Sequence, residues 1–80
     1  MYFVYFLRSI PFPKQTYVGF TEDVPARIAK HNEGSCPHTA KWKPWNLMFY
    51  CAMPDKGRAL DFEQYMKSHS GKAFAAKHLL

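Results

Sequence analysis

The sequence predicts a fold of the α+β class, a small sheet packed by helices, and three observations lead there. Short stretches rich in aromatic and branched residues recur at Tyr2 to Leu7, Thr16 to Thr21 and Leu47 to Met53. Helical patterns with capping residues follow the second and third of these stretches. Proline and glycine punctuate the joins. Eighty residues hold one domain, spanning 1–80, because a second hydrophobic core would not fit.

Each element has its own reason. Tyr2-Phe3-Val4-Tyr5-Phe6-Leu7 is apolar on both alternating faces, the pattern of a buried central strand. Pro11-Phe12-Pro13 ends it, since two prolines supply no ladder donors. Thr16-Tyr17-Val18-Gly19-Phe20-Thr21 reads as a second strand, close enough to the first to form a hairpin. Asp23 is placed as an N-cap with Pro25 in the first turn, and the helix through Ala26 to His31 stops at Gly34. Residues 35–46 show no period and read as a loop. Leu47 to Met53 is a third strand, ended by Pro54. Asp55 caps a second helix that runs through Ala59, Phe62 and Met66 to Ser68; Ser70-Gly71 is expected to break it, leaving a short final helix over Lys72 to Leu80. The order is strand, strand, helix, strand, helix, helix.

Composition narrows the class. Net charge is +5, with eleven Lys and Arg spread along the chain, which suits a basic face that tracks phosphates and equally suits an ordinary basic surface. Two cysteines, Cys36 and Cys51, allow at most one disulfide, too few for a secreted scaffold, so both are expected as thiols in a reducing compartment. Cys36-Pro37-His38 is not a zinc-ligand spacing. The longest apolar run is seven residues, far short of a membrane span, and no basic leader precedes the first strand. A cytoplasmic protein with no membrane partner is the expectation.

Five residues stand out as candidates for chemistry. Tyr5 and Tyr17 sit centrally in neighbouring strands, and alternation puts Tyr17 on the same face as Gly19. A strand glycine marks close approach by a ligand or another backbone. Both tyrosines are also acceptable as core aromatics with hydroxyls at the rim. Arg27 and His31 stand four apart on one side of a helix, a phosphate fork and a neutral-pH proton carrier, or plain surface residues. Glu63 lies four residues after Ala59 and three before Met66, at the edge of the apolar stripe, where a carboxylate needs a positive partner. Lys67, four residues further on, offers one in the favourable helical order. A metal at Glu63 would have one protein carboxylate, with waters and substrate phosphate completing the shell, as suits Mg²⁺.

The order of these pieces carries a resemblance. Val4-Tyr5-Phe6 followed by Tyr17-Val18-Gly19 resembles the paired tripeptides of the GIY-YIG nuclease family. Arg27-Ile28-Ala29-Lys30-His31-Asn32 is similar to that family's R-x-x-x-H-N helix, and Thr39 through Pro44-Trp45 to its T-x-x-x-x-P-W approach to the third strand. Ala59 to Lys67 resembles the helix bearing the family's metal-binding glutamate. Five ordered motifs cover nearly the whole chain, closest to small stand-alone members related to the nuclease subunit of bacterial excision repair.

The resemblance implies a three-stranded antiparallel sheet flanked by helices and a metal-dependent endonuclease acting on DNA, directed by structure rather than sequence. Glu63 would bind one Mg²⁺ or Mn²⁺ ion, Arg27 would hold the scissile phosphate, and Tyr5, Tyr17 and His31 would orient and deprotonate the attacking water. A free tyrosine is only about 0.1% ionised at pH 7, and lowering its pKa to 7 needs about 4 kcal/mol. Without that help His31 is the better base. The first tripeptide has Val4 for its leading glycine and Phe6 for its last residue; Phe20 stands where some members place lysine, and no asparagine follows Glu63. The alternative to an enzyme is a non-catalytic nucleic-acid-binding domain that retains the fold.

Overall fold

The computed structural model describes residues 1–80. Strands β1 (Tyr2–Ser9) and β2 (Thr16–Thr21) are followed by helices α1 (Val24–Glu33) and α2 (Pro37–Ala40), then by strand β3 (Trp45–Met53) and helices α3 (Lys56–Lys67) and α4 (His69–His78). The sheet order is β2-β1-β3 and both pairings are antiparallel, so the sheet matches the family expectation. β1 is the central strand because both its faces are apolar. Val4 and Phe6 pack with Ala59, Met66 and Ala75 of α3 and α4, while Tyr5 and Leu7 pack with Trp45, Tyr17 and Ile28 on the other face. All four β1 residues are buried.

The first helix starts and stops as its residues dictate. The Asp23 carboxylate accepts from the Ala26 N–H at 3.1 Å, and Gly34 closes the helix in the left-handed region at φ 84°. β3 pairs with β1 up to a bulge: Phe6 faces Phe49 but Leu7 faces Leu47, which leaves Met48 unpaired.

Two expectations change. Residues 35–46 are not all loop: Pro37 starts the one-turn helix α2, and β3 begins at Trp45 rather than Leu47. Trp45 joins the sheet because Ser9 extends β1 to meet it and because Asn32 Oδ1 accepts its backbone N–H at 2.7 Å. Those partners are remote in sequence, so no local period announces them. The second change concerns Gly71, which does not break the helix. The break is at Ser68, whose N–H closes α3 on the Tyr65 carbonyl and whose hydroxyl accepts from the Gly71 N–H to cap α4. Gly71 is buried in the first turn of α4, where a Cβ would overlap the backbone of Tyr65 and Met66. It is a close-packing residue, not a turn residue.

Candidate active site

Four of the five candidates meet on the α1 side of the sheet. β1 aims Tyr5 at α1, and α1 carries Arg27 and His31 one turn apart so that both reach the same hydroxyl. The Tyr5 hydroxyl lies 2.8 Å from His31 Nε2, and Arg27 Nε–H donates to the Tyr5 oxygen at 3.4 Å. Tyr17, on the neighbouring strand, stands with its ring centroid 5.0 Å from that of His31 and 6.2 Å from that of Tyr5. Gly19 faces Tyr5 across the hairpin, and a Cβ there would overlap the Tyr5 ring. The glycine anticipated as a place for a ligand or another backbone makes room instead for a tyrosine side chain.

The hydrogen bonds fix the proton positions. The Thr39 hydroxyl donates to the Cys36 carbonyl at 3.3 Å, so its oxygen is free to accept from His31 Nδ1–H at 2.8 Å. His31 is then protonated on Nδ1, and Nε2 accepts from Tyr5 O–H. One directed run results: Arg27 to Tyr5 to His31 to Thr39 to Cys36.

Burial and charge set the acid–base character. Tyr5 and His31 are fully buried, whereas Tyr17 and Arg27 are half-buried and reach solvent. Desolvation pushes the Tyr5 hydroxyl up to about 12, against the lowering effect of the Arg27 hydrogen bond. His31 moves below its ordinary 6.5, first because burial disfavours the imidazolium and then because Arg27 is close. The Tyr5 hydrogen bond raises Arg27 further, so its charge is permanent.

Glu63 stands apart. It makes no hydrogen bond or ion pair with the other four candidates; its Oε2 meets Lys67 Nζ at 3.2 Å, and that ammonium lies 5.9 Å over the Tyr17 ring. The pairing offered by the i, i+4 spacing therefore forms, and Glu63 reaches the Tyr17 edge of the site through Lys67. Its side chain is only 12% exposed. No group of three or more His, Cys, Asp or Glu side chains clusters anywhere in the fold. A lone, mostly buried carboxylate can offer a hard cation one protein oxygen, with waters and substrate to complete the shell, and not a closed protein cage.

Three residues do more than the sequence assigned them. Thr39 fixes the His31 tautomer, Asn32 ties α1 to β3, and Lys67 links Glu63 to Tyr17. Thr39 and Asn32 were visible as motif residues, but nothing local told their roles. Trp45 adds its indole N–H to the Thr39 carbonyl at 3.1 Å, holding α2 beneath the site.

Comparison with known proteins shows which family the fold belongs to. A family model described as the GIY-YIG catalytic domain matches residues 1–77. A UPF0213 protein of Lacticaseibacillus paracasei is 39% identical over 66 residues, covering 78% of this chain and 74% of that protein. The structure-specific endonuclease subunit SLX1 of Malassezia globosa is 32% identical over 83 residues, 98% of this chain but 19% of that protein. The solution NMR structure of a UPF0213 protein from Bacillus halodurans superposes with a TM-score of 0.56 at 31% identity, over 96% of this chain and 84% of that one.

Proposed function

The chain belongs to the GIY-YIG nuclease family, and from that premise we propose that it is a divalent-metal-dependent endonuclease that hydrolyses phosphodiester bonds in DNA according to the structure of the substrate. The observation that carries the proposal is the directed run Arg27–Tyr5–His31–Thr39, closed on its solvent side by Tyr17. A phosphodiester needs charge opposite its oxygens and a held, activated water.

Arg27 supplies the first. Its Nε is committed to Tyr5, and the rest of the guanidinium fork is left for a phosphate. Tyr17, with access to solvent, orients the water. Tyr5, too weak an acid to ionise, stays a neutral donor to His31. His31 Nε2 is the basic atom of the run: neutral at pH 7, it holds the Tyr5 hydroxyl proton in a hydrogen bond and would be the final acceptor of the proton lost by the attacking water. Glu63 would hold one Mg²⁺ or Mn²⁺ with waters and substrate phosphate, and Lys67 would release or share the carboxylate. When bound, the ion supplies positive charge to the phosphate oxygens.

Glu63→Gln keeps size and helix propensity close to native, so folding should survive. Single-turnover cleavage of branched, single-stranded and duplex DNA and of RNA, in Mg²⁺ or Mn²⁺ against EDTA, should fall by orders of magnitude in the variant. DNA affinity should hold or rise slightly, since a negative charge is gone. Near-normal cleavage would remove Glu63 and the metal from the mechanism. One observation favours the second reading, a binding domain without chemistry: the Glu63 carboxylate is already satisfied by Lys67. That reading forecasts affinity for DNA with no metal-dependent cleavage in the wild-type protein.

A further inference from the structure

Between the β1–β2 hairpin and helices α3 and α4 lies a cavity of about 610 Å³ that shares only Tyr17 and Lys67 with the candidate site. Its floor is apolar, with Phe6, Val18, Met66 and Ala75. Four cations line it, Arg8, Lys14, Lys67 and Lys72, and no Asp or Glu does. The one carboxylate that touches this set is Glu63, through Lys67. Arg8 comes from the central strand, and its Nε is buried without any hydrogen-bond partner. A buried guanidinium donor lacks an acceptor only at a cost to stability, and the acceptor suited to it is an anion from outside the chain.

Resting on the nuclease reading, we propose that this pocket receives an unpaired nucleotide of the DNA substrate, its phosphate on the Arg8–Lys72 cations and its base against the Val18–Met66 floor. Paired nucleotides offer the protein mainly their phosphates, for which surface lysines suffice. A cavity with an apolar floor below a ring of cations matches the two chemistries of a nucleotide out of the stack, a charged backbone and a flat apolar base face. The pocket adjoins the candidate active site, because Tyr17 and Lys67 line the one and border the other. A single-stranded segment entering here leaves its neighbouring phosphate beside Tyr17. Structure selectivity then arises without any base-reading element: substrates that can spare an unpaired nucleotide next to the cut are preferred.

Ala76 gives a clean test, since it lines the pocket yet is exposed on α4. Ala76→Trp fills the cavity and removes no charge; Lys72→Ala removes charge and leaves the cavity open. Fluorescence anisotropy in EDTA, with an oligothymidylate single strand and a blunt duplex of equal length, reads both variants free of cleavage. The wild-type protein should prefer the single strand. Ala76→Trp should weaken that strand about tenfold, in line with the loss of one stacked base, and leave duplex binding within about twofold. Lys72→Ala should make the salt slope on the single strand shallower by about 0.7. An Ala76→Trp protein that melts like the wild type and binds the single strand as well as it does would overturn the pocket alone, if the wild type still cleaves. Equal losses on both DNAs would also overturn it. A wild-type protein that neither binds nor cleaves either DNA removes the nuclease reading and the pocket together.

Discussion

Burial and the nearby Arg27 charge both disfavour the imidazolium of His31, which holds its folded-state pKa below the ordinary 6.5. A depressed folded pKa means that the unfolded chain binds the proton more readily. The stabilising contribution is complete above pH 6.5 and is lost as pH falls from there through the folded value. Thermal melts should therefore show stability dropping below pH 6.5, and His31→Gln should flatten that part of the profile. An unchanged profile would show that His31 is not the titrating group. Tyr5→Phe removes the hydroxyl that serves both Arg27 and His31 and leaves two polar groups without it; a loss of about 1–3 kcal/mol in denaturant unfolding is expected. Arg27→Lys keeps the charge but loses the fork and the Nε bond to Tyr5. Cleavage should fall roughly 10- to 100-fold, the worth of a charge-assisted hydrogen bond, and a wild-type rate would take Arg27 out of the site.

At the scale of elements, two glycines hold the packing that positions the site. Gly19 in β2 lies against the Tyr5 ring, which cannot move aside because Arg27 and His31 hold its hydroxyl. Gly19→Ala should cost about 1–3 kcal/mol and should lower cleavage by displacing Tyr5. Gly71 meets backbone atoms of α3, which give way less than a side chain end, so Gly71→Ala should cost about 3 kcal/mol or more. If Gly71→Ala also leaves the Tyr5–His31 bond intact, its effect on cleavage should be smaller than that of Gly19→Ala at equal folded fraction. Urea titrations paired with single-turnover rates separate the two. The helix α3 connects these levels: the stripe of Ala59, Phe62 and Met66 packs it on β1, and the same packing sets Glu63 beside Lys67 at the Tyr17 edge.

For the whole molecule, the governing quantity is charge. A net charge of +5 on 80 residues, with the cations of the α3–α4 pocket free of lining carboxylates, should make association with nucleic acid largely electrostatic. The logarithm of affinity should fall with the logarithm of salt concentration by roughly 0.9 per duplex phosphate contacted, and a flat response between low and physiological salt would contradict it. No helix is long and apolar enough to cross a membrane. The chain spans about a fifth of the length of the SLX1 protein of Malassezia globosa.

The sequence by itself determined the elements whose signals are local. Runs of aromatic and branched residues set β1 and β2, the Asp23 and Gly34 caps bounded α1, and the spacing of Ala59, Phe62 and Met66 turned α3 toward the sheet. The ordered motifs also identified the family and named Tyr5, Tyr17, Arg27, His31 and Glu63 together, although each had a plainer explanation alone. What only the tertiary structure decided depends on partners distant in the chain. His31 faces inward because Tyr5 and Thr39, 26 residues before it and 8 after it, satisfy its two nitrogens. Trp45 is a strand residue because Asn32 and Ser9 receive it. Gly71 packs instead of breaking a helix, because α3 folds back over it. Periodicity reports which face of an element is apolar; which polar atom lies at hydrogen-bonding distance from which other is settled only when the faces are pressed together and every buried donor must find an acceptor.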